Sequence, residues 1–191
     1  MNNHHPYDQE SVLVRDFQRG DDIAFLDLYH RYKQPIYGFI LKMVGDLDAA
    51  KDIFQTVFLH VYEQANHIDH PESFRAWLYS IARNESVSYL RHSTHLDRSR
   101  EEPDEVSPDG DPTPLTSAER TEEIQLLNRA VADLRPEYRE VVILRDYQQL
   151  SYREIAAILR IEERLVKSRL FTARRRLYES LRPYFTERST I

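Results

Sequence analysis

The 191-residue chain is 41% hydrophobic and 30% charged, enough apolar material for packed cores and too much for wholesale disorder. It has no cysteine, which excludes disulfides and cysteine-based zinc sites, and only 4 glycines, too few for phosphate-cradling loops. Its net charge of −6 argues against nucleic acid only until the charge is followed along the chain, because local field governs contact with phosphates.

Residues 1–15 contain no apolar run of signal-peptide length, and no later run can span a bilayer. A soluble, cytoplasmic protein is therefore expected. The first predicted helix starts at Asp21 or Asp22, either of which can cap it. It carries Phe25, Leu28, Tyr29, Tyr32, Ile36, Phe39, Ile40 and Met43 at spacings of three and four, one apolar stripe. Pro35 falls inside this stripe and predicts a kink or a split. Gly45 and Asp46 end the helix and start the next, which repeats the pattern with Ala49, Ile53, Val57, Phe58, Val61 and Tyr62. Residues 66–70 read as a loop. A third helix opens at Pro71 with Phe74, Trp77, Leu78, Ile81 and Ala82 and runs to about His92. Phe74, Trp77 and Ile81 share a face and read as core.

Residues 96–117 change character, with four prolines, a glycine and few large apolar side chains; residues 96–118 hold 2 basic against 7 acidic residues. This reads as a flexible acidic linker between a domain at 1–95 and another at 118–191. Four helical stretches follow: 118–134, Pro136–Tyr147, Ser151–Leu159 and about 162–182. Ser151 and Glu154 form a capping-box pair. With no strand signal and no internal repeat, the fold class is all-α, an N-terminal helical bundle and a C-terminal helix-turn-helix unit.

The segment LSYREIAAILRIEERLVKSRLFTARRRLYESL (150–181) is the most informative. A short helix turns Ile155, Ala156 and Leu159 inward, a break follows at 160–162, and a longer helix turns Val166, Leu170, Ala173 and Leu177 inward. Residues 160–182 hold 8 basic against 3 acidic side chains. The outer face of the second helix offers Arg164, Lys167, Ser168, Phe171, Thr172, Arg174 and Arg175, with Arg169 beside them. Lys, Arg and Ser near its start suit base edges in a major groove, and the later arginines suit phosphates.

This segment resembles the promoter −35-reading region of the extracytoplasmic-function (ECF) sigma factors. It keeps Leu150, Ser151, Tyr152, Glu154, Ile155, Ala156, Leu159, Ile161, Val166, Lys167, Ser168, Arg169, Leu170, Ala173, Arg174 and Leu177. It departs at Arg160 and Arg164, where the family usually has Gly, and at Leu165 and Thr172, usually Thr and Arg. A second resemblance covers residues 10–92. It is carried by Gly20, Asp21, Ala24, Phe25, Leu28, Tyr29 and Tyr32, by Asp48, Ala49, Asp52, Ile53, Gln55, Phe58, Leu59 and Tyr62, and by FRAWLYSIARNESVSYLR at 74–91.

The resemblance implies a factor that binds core RNA polymerase and directs initiation by reading −10 and −35 promoter elements. It implies that the face with Asp48, Asp52, Gln55, Thr56 and Leu59 docks on a coiled coil in the largest-subunit clamp. Thr56 replaces a common Glu there. It further implies that the 66–70 loop and Asn84 hold an unpaired base of the −10 element. Aromatics interleaved with arginines suit single-stranded DNA, so the −10 candidates are Asn66, Ile68, Asp69, Arg75, Tyr79, Arg83 and Asn84. Ile68 stands where the family commonly has an aromatic. An anti-sigma partner is implied as well.

The alternatives are weaker. A dimeric helix-turn-helix repressor or activator would leave the N-terminal motifs unexplained. No hydrolase, zinc-protease or Walker motif supports an enzyme, and no cofactor is expected. His67 with His70, and His92 with His95, lack supporting ligands for a metal.

Overall fold

The computed structural model describes residues 6–97 and 118–187, all helix and short connection with no strand among them. Most of the acidic linker read at 96–117 lies outside the described residues. Helix α1 (Pro6–Gln18) precedes the first helix anticipated from sequence and packs along α2, burying Val14 and Phe17. Helix α2 (Asp22–Val44) is capped by Asp21, whose carboxylate accepts from the Ile23 and Ala24 amides at 2.9 and 3.3 Å. Such a cap contributes about 1 kcal/mol.

Pro35 does not split α2. A proline removes one ladder hydrogen bond and crowds the preceding turn. Here Tyr32, Ile36, Phe39 and Ile40 are buried on either side of it, and that burial holds the helix continuous. Gly45 ends α2 at φ 78°, and Asp46 caps α3 (Leu47–Glu63) by accepting from Ala49 N at 2.7 Å. An aromatic chain locks α3 onto α2. Phe25 meets Tyr62 edge-on at 5.1 Å, Tyr29 meets Phe58 at 4.9 Å, and Phe17 reaches Phe25 at 5.1 Å.

Two short 3₁₀ turns, Ala65–His67 and Pro71–Ser73, bracket the loop before α4 (Phe74–Asp97). On α4 the buried stripe is Phe74, Leu78, Ala82 and Ser86, four residues apart, directed at α2 and α3. Trp77 and Ile81, expected in the core with Phe74, are only half-buried.

The C-terminal half comprises α5 (Ala118–Ala132), α6 (Pro136–Val142), α7 (Tyr152–Leu159) and α8 (Glu163–Glu187). Helix α6 widens into a π-type turn over Ile143–Tyr147, where Gln148 N reaches back five residues to Ile143 O at 3.0 Å. Helix α8 packs across α5, α6 and α7, and continues past Pro183.

The two halves pack on each other. Helix α4 lies against α7, α2 lies against the π turn, and the buried apolar residues of both halves form one continuous cluster. The two helical domains are those the sequence pattern conveyed, and their packing on each other is additional to it.

Candidate nucleic-acid interface

The helix-turn-helix forms as the spacing predicts, with one adjustment. Ser151 Oγ accepts from Glu154 N at 3.2 Å, and Glu154 accepts from Ser151 N at 2.7 Å, a complete capping box. Helix α7 ends on Arg160, which takes a left-handed conformation (φ 54°, ψ 47°). Ile161 N then bonds Ala156 O at 3.1 Å and Arg160 N bonds Ala157 O at 3.4 Å, so the turn closes as a Schellman motif without glycine. Ile155, Ile158 and Leu159 are buried under α8, while Ala156 is only half-buried. Ile158 was missed because the sequence reading gave that inward position to Ala156.

Helix α8 buries Val166, Leu170 and Ala173 and leaves Arg164, Lys167, Ser168, Phe171 and Arg175 exposed, Phe171 at 71%. Thr172 is half-buried on the margin of this face. Two other arginines are committed to the scaffold. Arg169 turns toward the Glu140 carboxylate at 3.5 Å, and Arg174 grips Asp146, which raises the guanidinium's pKa through their hydrogen bonds. Lys167 stands 5.6 Å from the Tyr152 ring centre, and the Arg145 guanidinium stands 4.9 Å from it.

On α3, Asp48, Asp52, Gln55 and Leu59 recur at spacings of four, three and four along one exposed stripe, which Tyr62 extends. Asp48 pairs with Lys51 at 2.8 Å, and this contact holds its carboxyl below the usual range. Thr56, half-buried, donates back to Asp52 O at 3.0 Å. Tyr62 is held upright by its hydroxyl, 3.2 Å from Asp22.

The 66–70 loop is pinned by Gln18, whose amide donates to Ala65 O at 3.2 Å and Ile68 O at 2.9 Å. Asn66 and Asp69 are exposed, whereas Ile68 is 4% exposed and anchors the loop in the core. On α4, Asn84 is exposed. Arg75, Tyr79 and Arg83 share a stripe four residues apart, but it faces the C-terminal half. Arg75 donates to Gln148 O at 2.7 Å, Tyr79 Oη donates to Gln148 Oε1 at 2.7 Å, and Arg83 Nε meets the Glu140 carboxylate at 3.0 Å. Burial raises the Tyr79 phenol above its ordinary pKa. The structure thus brings Asn66, Asp69 and Asn84 to the surface and turns Arg75, Tyr79 and Arg83 inward.

Gln18, Glu140 and Gln148 were missed from sequence. Glu140 had a signal, since it abuts the apolar run Val141–Leu144 and is 4% exposed. Gln18 and Gln148 had none. Among the described residues no group of three side chains is arranged to hold a metal, and no helix is long and apolar enough to cross a membrane.

Comparison with known proteins matches residues 28–95 to Sigma-70 region 2 and residues 124–177 to Sigma-70 region 4. The RNA polymerase sigma-H factor of Pseudomonas aeruginosa is 30% identical, covering 94% of this chain and 97% of its own. The chain belongs to the ECF sigma factors. The ECF RNA polymerase sigma factor SigW of Bacillus subtilis is likewise 30% identical, over 88% of this chain and 95% of its own. Two solved structures share the fold. CnrH in complex with the cytosolic domain of CnrY has a TM-score of 0.69 at 23% identity, covering 91% of this chain and 97% of that one. The sigma factor RpoE of Bartonella quintana, in complex with the anti-sigma factor NepR, has a TM-score of 0.68 at 24% identity, covering 82% and 97%. This sigma factor therefore binds core RNA polymerase and promoter DNA and directs promoter-specific initiation. Its region 2 match ends just before the acidic segment, and its region 4 match contains α7 and the part of α8 up to Leu177.

Proposed function

We propose that the sigma factor divides promoter reading between its halves, residues 1–95 and 118–191, with the acidic segment 96–117 joining them. The outward stripe of α8 carries this reading: Arg164, Lys167, Ser168, Phe171 and Arg175 project from a helix whose opposite face is buried. That stripe contacts the −35 duplex, Lys167 and Ser168 at base edges and Arg164 and Arg175 at phosphates, with Phe171 and Thr172 lending apolar contact. Arg169 and Arg174, tied to Glu140 and Asp146, hold the helix at its angle and reach DNA only by exchanging those partners.

Region 2 captures melted −10 DNA. Asn66, Asp69 and Asn84 surround an extruded base, Ile68 supports their loop from beneath, and Arg75, Tyr79 and Arg83 serve the adjoining backbone and bases. The α3 stripe of Asp48, Asp52, Gln55, Thr56 and Leu59 docks on polymerase. The factor acts by binding alone, without catalysis, in the cytoplasm where polymerase works. One structural neighbour, RpoE, is in complex with the anti-sigma factor NepR, and an anti-sigma partner for this chain is part of the same reading.

Run-off transcription with purified core polymerase on a promoter library tests the assignment. Asn84→Ala is expected to relax −10 selection and Lys167→Ala −35 selection. Asp52→Ala with Gln55→Ala is expected to weaken polymerase association about tenfold. No association with core polymerase, or transcripts indifferent to all of these changes, would refute it.

A further inference from the structure

We propose that Gln18 is a positioning residue for −10 reading: acting through the carbonyls of Ala65 and Ile68, its amide sets the shape of the 66–70 loop and so the base that the loop accepts. This role rests on the base-capture reading of that loop and of Asn84. Gln18 itself touches no DNA in it. A primary amide carries two N–H donors. Here the Gln18 nitrogen reaches Ala65 O at 3.2 Å and Ile68 O at 2.9 Å, across 47 and 50 residues of sequence. Those two carbonyls bracket Asn66 and His67, both exposed.

The loop holds this shape poorly by itself. Its own closing bond, from Ile68 N to Ala65 O, is long at 3.3 Å. Ile68 takes φ −83° and ψ 85°, and Asp69 N reaches back two residues to His67 O at 3.1 Å, an inverse γ-turn. That turn leaves Asp69 in solvent while Ile68 stays buried. The bond from Gln18 to Ile68 O is shorter than either, and it fixes the turn from outside the loop.

The donor stands on a rigid mount. Gln18 ends α1, and Gly20 closes that helix at φ 91°, with Gly20 N bonding Phe17 O at 2.9 Å and Asp21 N bonding Asp16 O at 3.1 Å. Neighbouring Phe17 is buried, its ring centre 5.1 Å from that of Phe25 and 6.1 Å from that of Tyr62. Earlier in α1, Glu10 is hydrogen-bonded to Tyr32 and pairs with Arg31 at 3.6 Å, tying the helix to α2. The amide therefore has a fixed origin from which to hold irregular backbone. A binding group left about 1 Å loose loses discrimination, because it no longer meets its partner squarely.

The test uses the full chain assembled with core polymerase, on templates that differ only within the −10 element. The readout is the ratio of transcript from the preferred −10 sequence to that from its single-base variants. Gln18→Leu removes both donors at similar bulk. Gln18→Glu keeps the shape and sets a carboxylate against two carbonyls. Both are expected to lower the ratio about fivefold, the factor for one lost hydrogen bond of ordinary strength, with polymerase affinity and −35 dependence unchanged. Gln18→Lys restores a donor and is expected to recover the ratio. Hydrogen exchange on the free chain should quicken at 66–70 in the first two variants and not in the third. Poor folding lowers transcript from every template together and leaves a ratio standing. A uniform fall with the ratio intact would therefore mean that Gln18 only braces the fold, and would overturn the proposal, as would Gln18→Lys performing no better than Gln18→Leu. Asn84→Ala and Asp69→Ala probe the underlying reading. If neither moves the ratio, base capture here has failed and the role of Gln18 with it. If they lower it while the Gln18 variants do not, only the role of Gln18 has failed.

Discussion

The two surfaces assigned to promoter DNA are built in opposite ways. The face of α8 is finished in the free protein, with its basic and polar residues in water and its geometry fixed by a cap, a turn and a buried seam of Val166, Leu170 and Ala173. The face of α4 is divided. Asn84 and the loop residues Asn66 and Asp69 are open, but Arg75, Tyr79 and Arg83 are spent on the other half of the same chain. On these proposed roles the difference follows the substrate. Duplex DNA exists before the protein arrives, so a rigid reader costs nothing to keep ready. Melted DNA exists only after polymerase is engaged, and a surface rich in unpaired arginines would meanwhile bind single strands indiscriminately.

The change expected to disturb this contrast most is Glu140→Gln. Its carboxylate is nearly buried and serves Arg83 across the seam and Arg169 on the reading helix. Urea unfolding should show a loss of about 2 kcal/mol. That is less than for a fully enclosed pair, because both arginines retain about a quarter of their surface in water. Next is Lys167→Ala, which should cut run-off transcription about tenfold on promoters with an intact −35 element at unchanged melting temperature. A drop in melting temperature instead would mean that the lysine's contact with Tyr152 is structural. Ser151→Ala breaks the capping box and should cost about 1 kcal/mol of unfolding free energy, lowering −35-dependent and −35-independent transcription together. The smallest effect is a gain. Arg160→Gly relieves the left-handed backbone at the turn and should stabilise the C-terminal half by about 0.5 kcal/mol, read as a higher urea midpoint.

That last position shows where sequence reading succeeds and stops. Capping residues act on their own backbone within three or four positions, so Asp21, Asp46 and the Ser151–Glu154 pair were legible as letters. The apolar spacing of α2, α3 and α8 was legible for the same reason. Arg160 appeared as a departure from the family's glycine, yet the turn closes anyway. Ile161 and the burial of Leu159 hold the motif and absorb the strain of one left-handed residue. The inward turn of Arg75, Tyr79 and Arg83 was not legible. Their partners lie roughly sixty to eighty residues away in sequence, and periodicity says which residues share a face but not what that face meets. Helix α1 was overlooked because its stripe is short and interrupted by charge, although Val14 and Phe17 sit three apart.

The grip of Gln18 on the loop carbonyls of Ala65 and Ile68 ties α1 to the loop proposed to capture a base. Trimming that helix, or fusing a tag that unwinds its last turn, would leave most of the bundle standing while freeing the loop to settle elsewhere. The damage would surface as altered tolerance for bases upstream of the start point, easily mistaken for a change in the loop itself.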